Sequence, residues 1–244
     1  MSTARRTTAQ AVPAHSARGP RARNPPGGVQ LPLRRDRRIQ LGRAEPDAVY
    51  FVESGCLTLD ARLGDGRRQV LLTLFPGDAI AQSFVPPLAD VGITAAMVSH
   101  LVRHHLDDLG KVQARPSLVE FHAALPRLLT RSALHTMIIG RLSGEERLAT
   151  LLIDLALHLG RETPGGVAFE LPLSRADMAD YLALNPDTLS RLMSRFRSRN
   201  LLTMPTRRQA IARDFAALKA VSPLAGTVEQ IYAAGQRAAA GAKD

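Results

Sequence analysis

Tryptophan is absent from the sequence, aromatic residues make up only 4%, and cysteine occurs once, at Cys56. A lone cysteine excludes an intrachain disulfide and any all-cysteine metal or iron–sulfur site within one chain. No apolar run reaches the roughly eighteen residues of a membrane-spanning helix, so no membrane association is expected. The opening segment "MSTARRTTAQAVPAHSARGPRARNPPGG" lacks the apolar core of a secretory signal, which points to a cytoplasmic protein. P-loop, G-x-S-x-G and paired-carboxylate patterns are also missing, so no enzyme is expected. What is present is 45% hydrophobic residues over 244 positions, ample for a buried core.

The formal charge of +10 is unevenly spread. Residues 1–43 hold ten Arg and one acid, Asp36, so nearly all of the excess lies in a Pro/Gly/Ala/Arg arm. Its composition predicts disorder over residues 1–30. Such an arm either touches nucleic acid or anionic surfaces non-specifically or is only a solvated tail. A second excess is local: residues 174–213 carry eight Arg against three Asp.

Residues 49–103 read as short strands punctuated by Glu-Ser-Gly, Asp-Gly and Pro-Gly-Asp turns, a pattern that predicts a small barrel or roll. Asp65-Gly66 suits a hairpin turn with positive φ at both central residues. From Ser117 the period changes. Leu118, Phe121, Leu125, Leu128, Ser132, His135, Ile139 and Leu142 alternate at three and four residues, a heptad-like stripe on a long helix over 113–142. Six of these, Leu118, Phe121, Leu125, Leu128, Ile139 and Leu142, form a candidate dimer seam; the alternative is a helix packed on its own domain. Pro126 is expected to kink that helix or mark its effective start. Ser143 and Glu146 make a capping-box pattern ahead of a helix with Leu148, Leu151, Leu152, Leu155 and Leu159 on one face. Residues 214–244, rich in Ala and Gly, read as a poorly anchored tail.

The stretch "LPLSRADMADYLALNPDTLSRLMSRFRSRNLL", residues 171–202, carries the chemistry. Ser174 and Asp177 start a helix whose buried face is Met178, Ala179 and Leu182. Asn185 caps a second helix, and Pro186 suits its first position, where no N–H is needed. Leu189, Leu192, Met193 and Phe196 bury the second helix. Two amphipathic helices around a three-residue turn define helix-turn-helix geometry. If that turn needs left-handed backbone at Ala183, the cost is about 1 kcal/mol. The outward face is Asp187, Ser190, Arg191 and Ser194. Arg191 has the geometry to donate two bonds to guanine, Asp187 to accept from cytosine, and Ser190 to touch a neighbouring base. The alternative for Asp187 is to complement its own helix dipole. Ser194, Arg195, Arg197 and Arg199 are placed for phosphates, as are Arg207 and Arg208 in an expected two-stranded wing over 201–213.

This order of parts resembles the Crp/Fnr family of bacterial transcription regulators from about Leu31 to Arg213. The resemblance rests on "VYFVESGCLTL", "GDGRRQVLLTLFPGD", "SGEERLATLLIDLAL" and the helix-turn-helix stretch. It is nearest the Fnr/FixK branch, whose recognition helices carry Glu-Thr-x-Ser-Arg; here the residues are Asp187-Thr188-Leu189-Ser190-Arg191, with an acid one methylene shorter. The resemblance implies an α+β chain. Its parts are a cyclic-nucleotide-binding-like β-roll (31–112), a dimerisation helix (113–142), a winged helix-turn-helix (143–213) and the tail (214–244). It also implies a homodimer on double-stranded DNA with TTGAT-like palindromic half-sites, and RNA polymerase as a partner if the protein is an activator.

Cyclic-nucleotide members answer a buried phosphate with an arginine and a hydroxyl after the Pro-Gly-Asp turn. Residues 79–99 contain no Arg, Lys or Glu, which disfavours that ligand. The N-terminal arm has no cysteine cluster for an oxygen-labile centre. His100, His104 and His105, with Cys56, match no metal-ligand spacing, so no cofactor and no metal are expected. Cys56 reads as a small buried hydrophobe. The alternative is a regulator whose DNA binding needs cyclic nucleotide or haem in the β-roll.

Overall fold

The structure, a computed structural model, describes residues 28–41, 47–85, 90–111 and 115–241. Most of the basic arm therefore lies outside the described residues, but its last two residues already belong to a strand. Eight strands come first: β1 (Val29–Leu33), β2 (Arg38–Leu41), β3 (Ala48–Ser54), β4 (Leu57–Arg62), β5 (Arg68–Leu74), β6 (Ala79–Ala81), β7 (Asp90–Ala95) and β8 (Ser99–His105). They form two antiparallel four-stranded sheets, ordered β1-β8-β3-β6 and β2-β7-β4-β5. Period-two alternation explains the packing. Tyr50 and Val52 of β3 face Leu57, Leu59, Leu74 and Ile93 of the other sheet, while Val49 and Phe51 point outward to a helix. At the β4–β5 turn only Gly66 has positive φ, at 86°, and Gly66 N–H donates to the Leu63 carbonyl. The mirror-image turn expected at Asp65-Gly66 is thus replaced by a longer one needing a single left-handed residue.

A short α1 (Leu106–Leu109) leads to α2 (Arg115–Arg141), which runs through Pro126 rather than starting there. The predicted seam needs correction. Phe121 and Leu142 are buried within the chain, Leu118 and Leu125 pack beside Phe121, and Leu128 packs on the β-roll core. His135 stacks on Tyr181 at 4.3 Å, and Ile139 is half-buried. Leu118, Phe121, Leu125, Leu128 and Leu142 therefore face their own protomer, while Ser132 of the same stripe is exposed. The exposed apolar face lies one residue further round, about 100° away on a 3.6-residue turn. It carries Val119 (63% exposed), Pro126, Leu129 (71%), Ala133 and Gly140, with Met137 (50%) beside them.

Next come α3 (Gly144–Leu159), β9 (Gly160–Thr163), β10 (Gly166–Glu170), α4 (Arg175–Leu182), α5 (Pro186–Ser198), β11 (Thr203–Thr206) and β12 (Gln209–Ala212). The capping box at Ser143 and Glu146 is formed as expected. The wing belongs to a sheet ordered β11-β12-β10-β9, two strands more than the sequence suggested. The region read as a loose tail instead forms α6 (Phe215–Val221) and α7 (Ala225–Gly241). Alanine favours helix, and Val228 supplies a buried anchor while Tyr232 meets His158 edge-on at 5.0 Å.

One cluster ties these parts together. Arg131 of α2 donates to Thr73 of β5 at 2.9 Å and to Asp154 of α3 at 3.0 Å, with its guanidinium over the Phe75 ring. His158, one turn after Asp154, stacks on Phe75 at 3.9 Å. Burial raises the Asp154 carboxyl, but Arg131 and His158 outweigh it and bring it down to about 2. Because the folded value lies below the unfolded one of about 4, this stabilisation is present at neutral pH and lost as pH falls from about 4 towards 2. Asp154→Asn should cost about 3–5 kcal/mol by leaving Arg131 without its countercharge. Denaturant titration checks the loss, and acid titration of the variant should lack the Asp154 segment of the wild-type curve.

Candidate nucleic-acid interface

The helix-turn-helix is built from local signals that all form. Ser174 Oγ accepts the Asp177 N–H at 3.1 Å, and the Asp177 carboxylate accepts the Ser174 N–H at 3.1 Å, closing a capping box on α4. The turn is three residues, with Ala183 in left-handed backbone at φ 50°. Asn185 Oδ1 accepts the Asp187 N–H at 2.8 Å, and Pro186 occupies the first turn of α5. Leu189, Leu192, Met193 and Phe196 are buried as expected, in one core with Met178, Ala179 and Leu182 of α4. Arg147 of α3 holds the assembly by donating to the Leu182 carbonyl at 3.0 Å and the Leu142 carbonyl at 2.8 Å.

The opposite face of α5 is solvent-exposed along Asp187, Ser190, Arg191 and Ser194. Since Asn185 does the capping, the Asp187 carboxylate has no partner among the described residues, and neither has the Arg191 guanidinium. Ser190 Oγ donates to the Pro186 carbonyl at 2.9 Å, which leaves its oxygen lone pairs outward as acceptors. Ser194 Oγ accepts from Arg197 at 3.1 Å. These side chains make a ridge of short polar groups around one cation, of a size that enters a major groove.

The expected phosphate contacts divide into two groups. Arg207 and Arg208 form the exposed two-residue tip between β11 and β12, and Arg197 is also exposed. Arg195 on α5 and Arg199 at its C-terminal cap, however, lie one turn apart and both pair with Glu145 in the first turn of α3, so they are not free cations. Exposed pairs of this kind are worth about 0–1 kcal/mol, little enough for a phosphate to compete. Arg175, at the start of α4, was not among the expected contacts. Burial and then the nearby Arg197 charge lower its pKa, and among the described residues its guanidinium donates to the Met204 sulfur at 3.3 Å. Its signal in the sequence was the local excess of arginine, but only the fold brings it beside Arg197 and the wing.

The suspected ligand groups do not converge. His104 is buried edge-on to Phe51 at 5.6 Å, in the cluster under α2, and burial lowers its pKa. His100 is exposed, and Cys56 lies in a different core, where burial pushes its thiol pKa up. Among the described residues no group of three metal-ligating side chains forms, and no helix is long and apolar enough to cross a membrane.

Ala183 is strained because its Cβ disfavours left-handed backbone. Ala183→Gly should stabilise the protein by about 1 kcal/mol, read as a raised denaturant midpoint with unchanged slope.

Residues 146–221 match the Crp-like helix-turn-helix domain. The chain is 31% identical over 174 residues to the nitrogen fixation regulation protein FixK of Azorhizobium caulinodans, covering 70% of each. It is 32% identical over 186 residues to the transcriptional activator protein FnrL of Cereibacter sphaeroides, covering 70% of this chain and 71% of that one. Among solved structures, FixK2 from Bradyrhizobium japonicum is similar with a TM-score of 0.65 at 27% identity, over 80% of this chain and 97% of that one. A transcriptional regulator of the CRP family from Thermus thermophilus shares the fold, with a TM-score of 0.67 at 20% identity, over 79% and 96%. An α+β chain with a β-roll, a long helix and this helix-turn-helix, alike to FixK and FnrL over most of their length, belongs to the Crp/Fnr family as a FixK-like, DNA-binding transcription regulator, not an enzyme.

Proposed function

We propose that the chain binds a palindromic DNA site as a homodimer, reading TTGAT-like half-sites through Asp187, Ser190 and Arg191. The observation that carries this reading is the capping of α5 by Asn185, which leaves the side chains of Asp187 and Arg191 unengaged on an exposed face. Arg191 then forks onto the acceptor edge of a guanine, and Asp187 accepts from a cytosine amino group. Arg175, Arg197, Arg207 and Arg208 hold phosphates and set register without specifying sequence. Arg195 and Arg199 join them where a phosphate displaces Glu145.

Two-fold symmetry of the site asks for a two-fold protein, and α2 offers the surface. Val119, Leu129 and Met137 are large apolar side chains left in water on one protomer. Pairing this stripe with a second copy buries them while the adjacent stripe stays on the β-roll. In this reading residues 29–109 are the sensor roll, 115–141 the dimerisation helix and 144–212 the DNA-binding domain, in a cytoplasmic protein. FnrL, named a transcriptional activator, supports activation and hence RNA polymerase as a partner. No small-molecule cofactor is assigned.

Arg191→Ala should abolish preference at one guanine per half-site, a loss of about 1–3 kcal/mol in discrimination. Binding to a panel of single-base variants measures it, and an unchanged preference rejects the assignment. Leu129→Glu places a charge on the proposed seam while costing within about 0.5 kcal/mol of protomer stability. Sedimentation should show a folded monomer with lost affinity for the full palindrome; a persisting dimer rules out this seam.

A further inference from the structure

The outer face of the β2-β7-β4-β5 sheet is charged, and the charges alternate. Arg38 on β2 donates to Asp60 of β4 at 3.2 Å and pairs with Asp90 of β7 at 2.7 Å. Arg68, at the start of β5, stands 3.6 Å from the same Asp60 carboxylate. Its other end leaves the sheet: one terminal nitrogen donates to Asp177 at 2.6 Å and Asp180 at 3.1 Å, both on α4 of the helix-turn-helix. The neighbouring Gln69 donates to the Asp180 carbonyl at 2.6 Å. The order across the face is thus Asp90, Arg38, Asp60, Arg68, then the pair Asp177 and Asp180.

Three features make this a built arrangement and not a chance surface pairing. Asp60 is fully buried, so its charge has to be answered, and Thr94 adds a hydrogen bond at 2.7 Å. Gly92 leaves room for the Arg38 guanidinium, since a Cβ there would lie 2.5 Å from it. Asp177 is also the capping-box acid of α4, so Arg68 grips the residue that starts the first helix of the motif. Burial tends to raise both α4 carboxyls, and for Asp177 the Ser174 and Arg68 hydrogen bonds reverse that tendency.

We propose that Arg68 is a positioning residue for DNA binding, through which the β-roll fixes the orientation of the helix-turn-helix, with Asp60 and Arg38 bracing it from behind. The arrangement presents the DNA face rather than hiding it: Asp187, Ser190, Arg191, Arg207 and Arg208 are all exposed while the grip is closed. Arg68 also neutralises two acids on the helix that crosses the DNA backbone in such motifs. Val70, Cys56 and Phe75 share an apolar core with the DNA-binding part, and Arg35 donates to the Pro172 carbonyl at 2.7 Å, so losing Arg68 loosens the junction without detaching it.

The consequence for binding rests on the homodimer reading, because orientation matters most when two half-sites must be met together. In full-length protein, fluorescence energy transfer is measured between dyes on cysteines introduced at Gly64, in the open hairpin tip, and at Ser198 on α5. Arg68→Ala should broaden the distance distribution, and Arg68→Lys should restore most of it. In parallel, a one-base-pair change in half-site spacing should weaken wild type by about tenfold and Arg68→Ala by less than about threefold, with the preferred base at the Arg191 position unchanged. Gly92→Ala, whose added Cβ meets the Arg38 guanidinium, should shift both readouts in the same direction. A folded Arg68→Ala with wild-type distances and wild-type spacing preference overturns the proposal. If wild type itself ignores spacing, the homodimer reading fails, and the distance measurement still decides the role of Arg68.

Discussion

The guanidinium of Arg131 sits where the β-roll, the long helix and the DNA-binding domain meet, and its charge has to be answered there. A buried cation without a partner costs several kcal/mol, so the elements that supply its partners are held to each other. Thr73 comes from the roll and Asp154 from the first helix of the DNA-binding domain, while Phe75 and His158 stack beneath. C-terminal helix α7 closes the same place with Tyr232. The parts therefore do not meet as beads on a linker. Cys56, Val70, Phe75 and Ala96 of the roll belong to one apolar core with the helix-turn-helix.

The exposed face of α5 follows from a division of labour among three successive residues. Asn185 takes the capping duty, Pro186 tolerates the missing donor, and Asp187 is left with an unengaged carboxylate in the first turn. Four large apolar side chains hold α5 down, which leaves short polar groups and Arg191 outward. Arginines on the same helix are not equivalent. Those that face α3 are paired by Glu145, while Arg197 and the wing-tip pair Arg207 and Arg208 are exposed.

Much of this was legible because it is local. Capping boxes, the restart at Pro186, the apolar face of α5 and the strand-rich first half depend on residues within a few positions of each other. Two readings failed for a shared reason. The stripe at Leu118, Phe121, Leu125 and Leu128 has the right period, but periodicity does not say which of two adjacent apolar faces meets the chain's own roll. The Ala/Gly-rich end looked unanchored because its anchors, Leu218, Val228, Tyr232 and the Ser222 hydroxyl bonded to Thr150, are few and meet partners far back in the chain on α3 and at the junction.

The sequence by itself determined the winged helix-turn-helix, the identity of the side chains on the outward face of its second helix and the lack of Arg, Lys and Glu in residues 79–99. The first two depend on short-range geometry, a cap, a turn and a 3.6-residue period, and the third on composition alone. Only the tertiary structure decided that Arg195 and Arg199 are engaged by Glu145, that the exposed stripe of α2 runs through Leu129, and that Arg68 reaches α4. Those pairings join residues tens of positions apart. Charge and hydrophobicity say that such residues need partners, and only the folded chain says which partners they have.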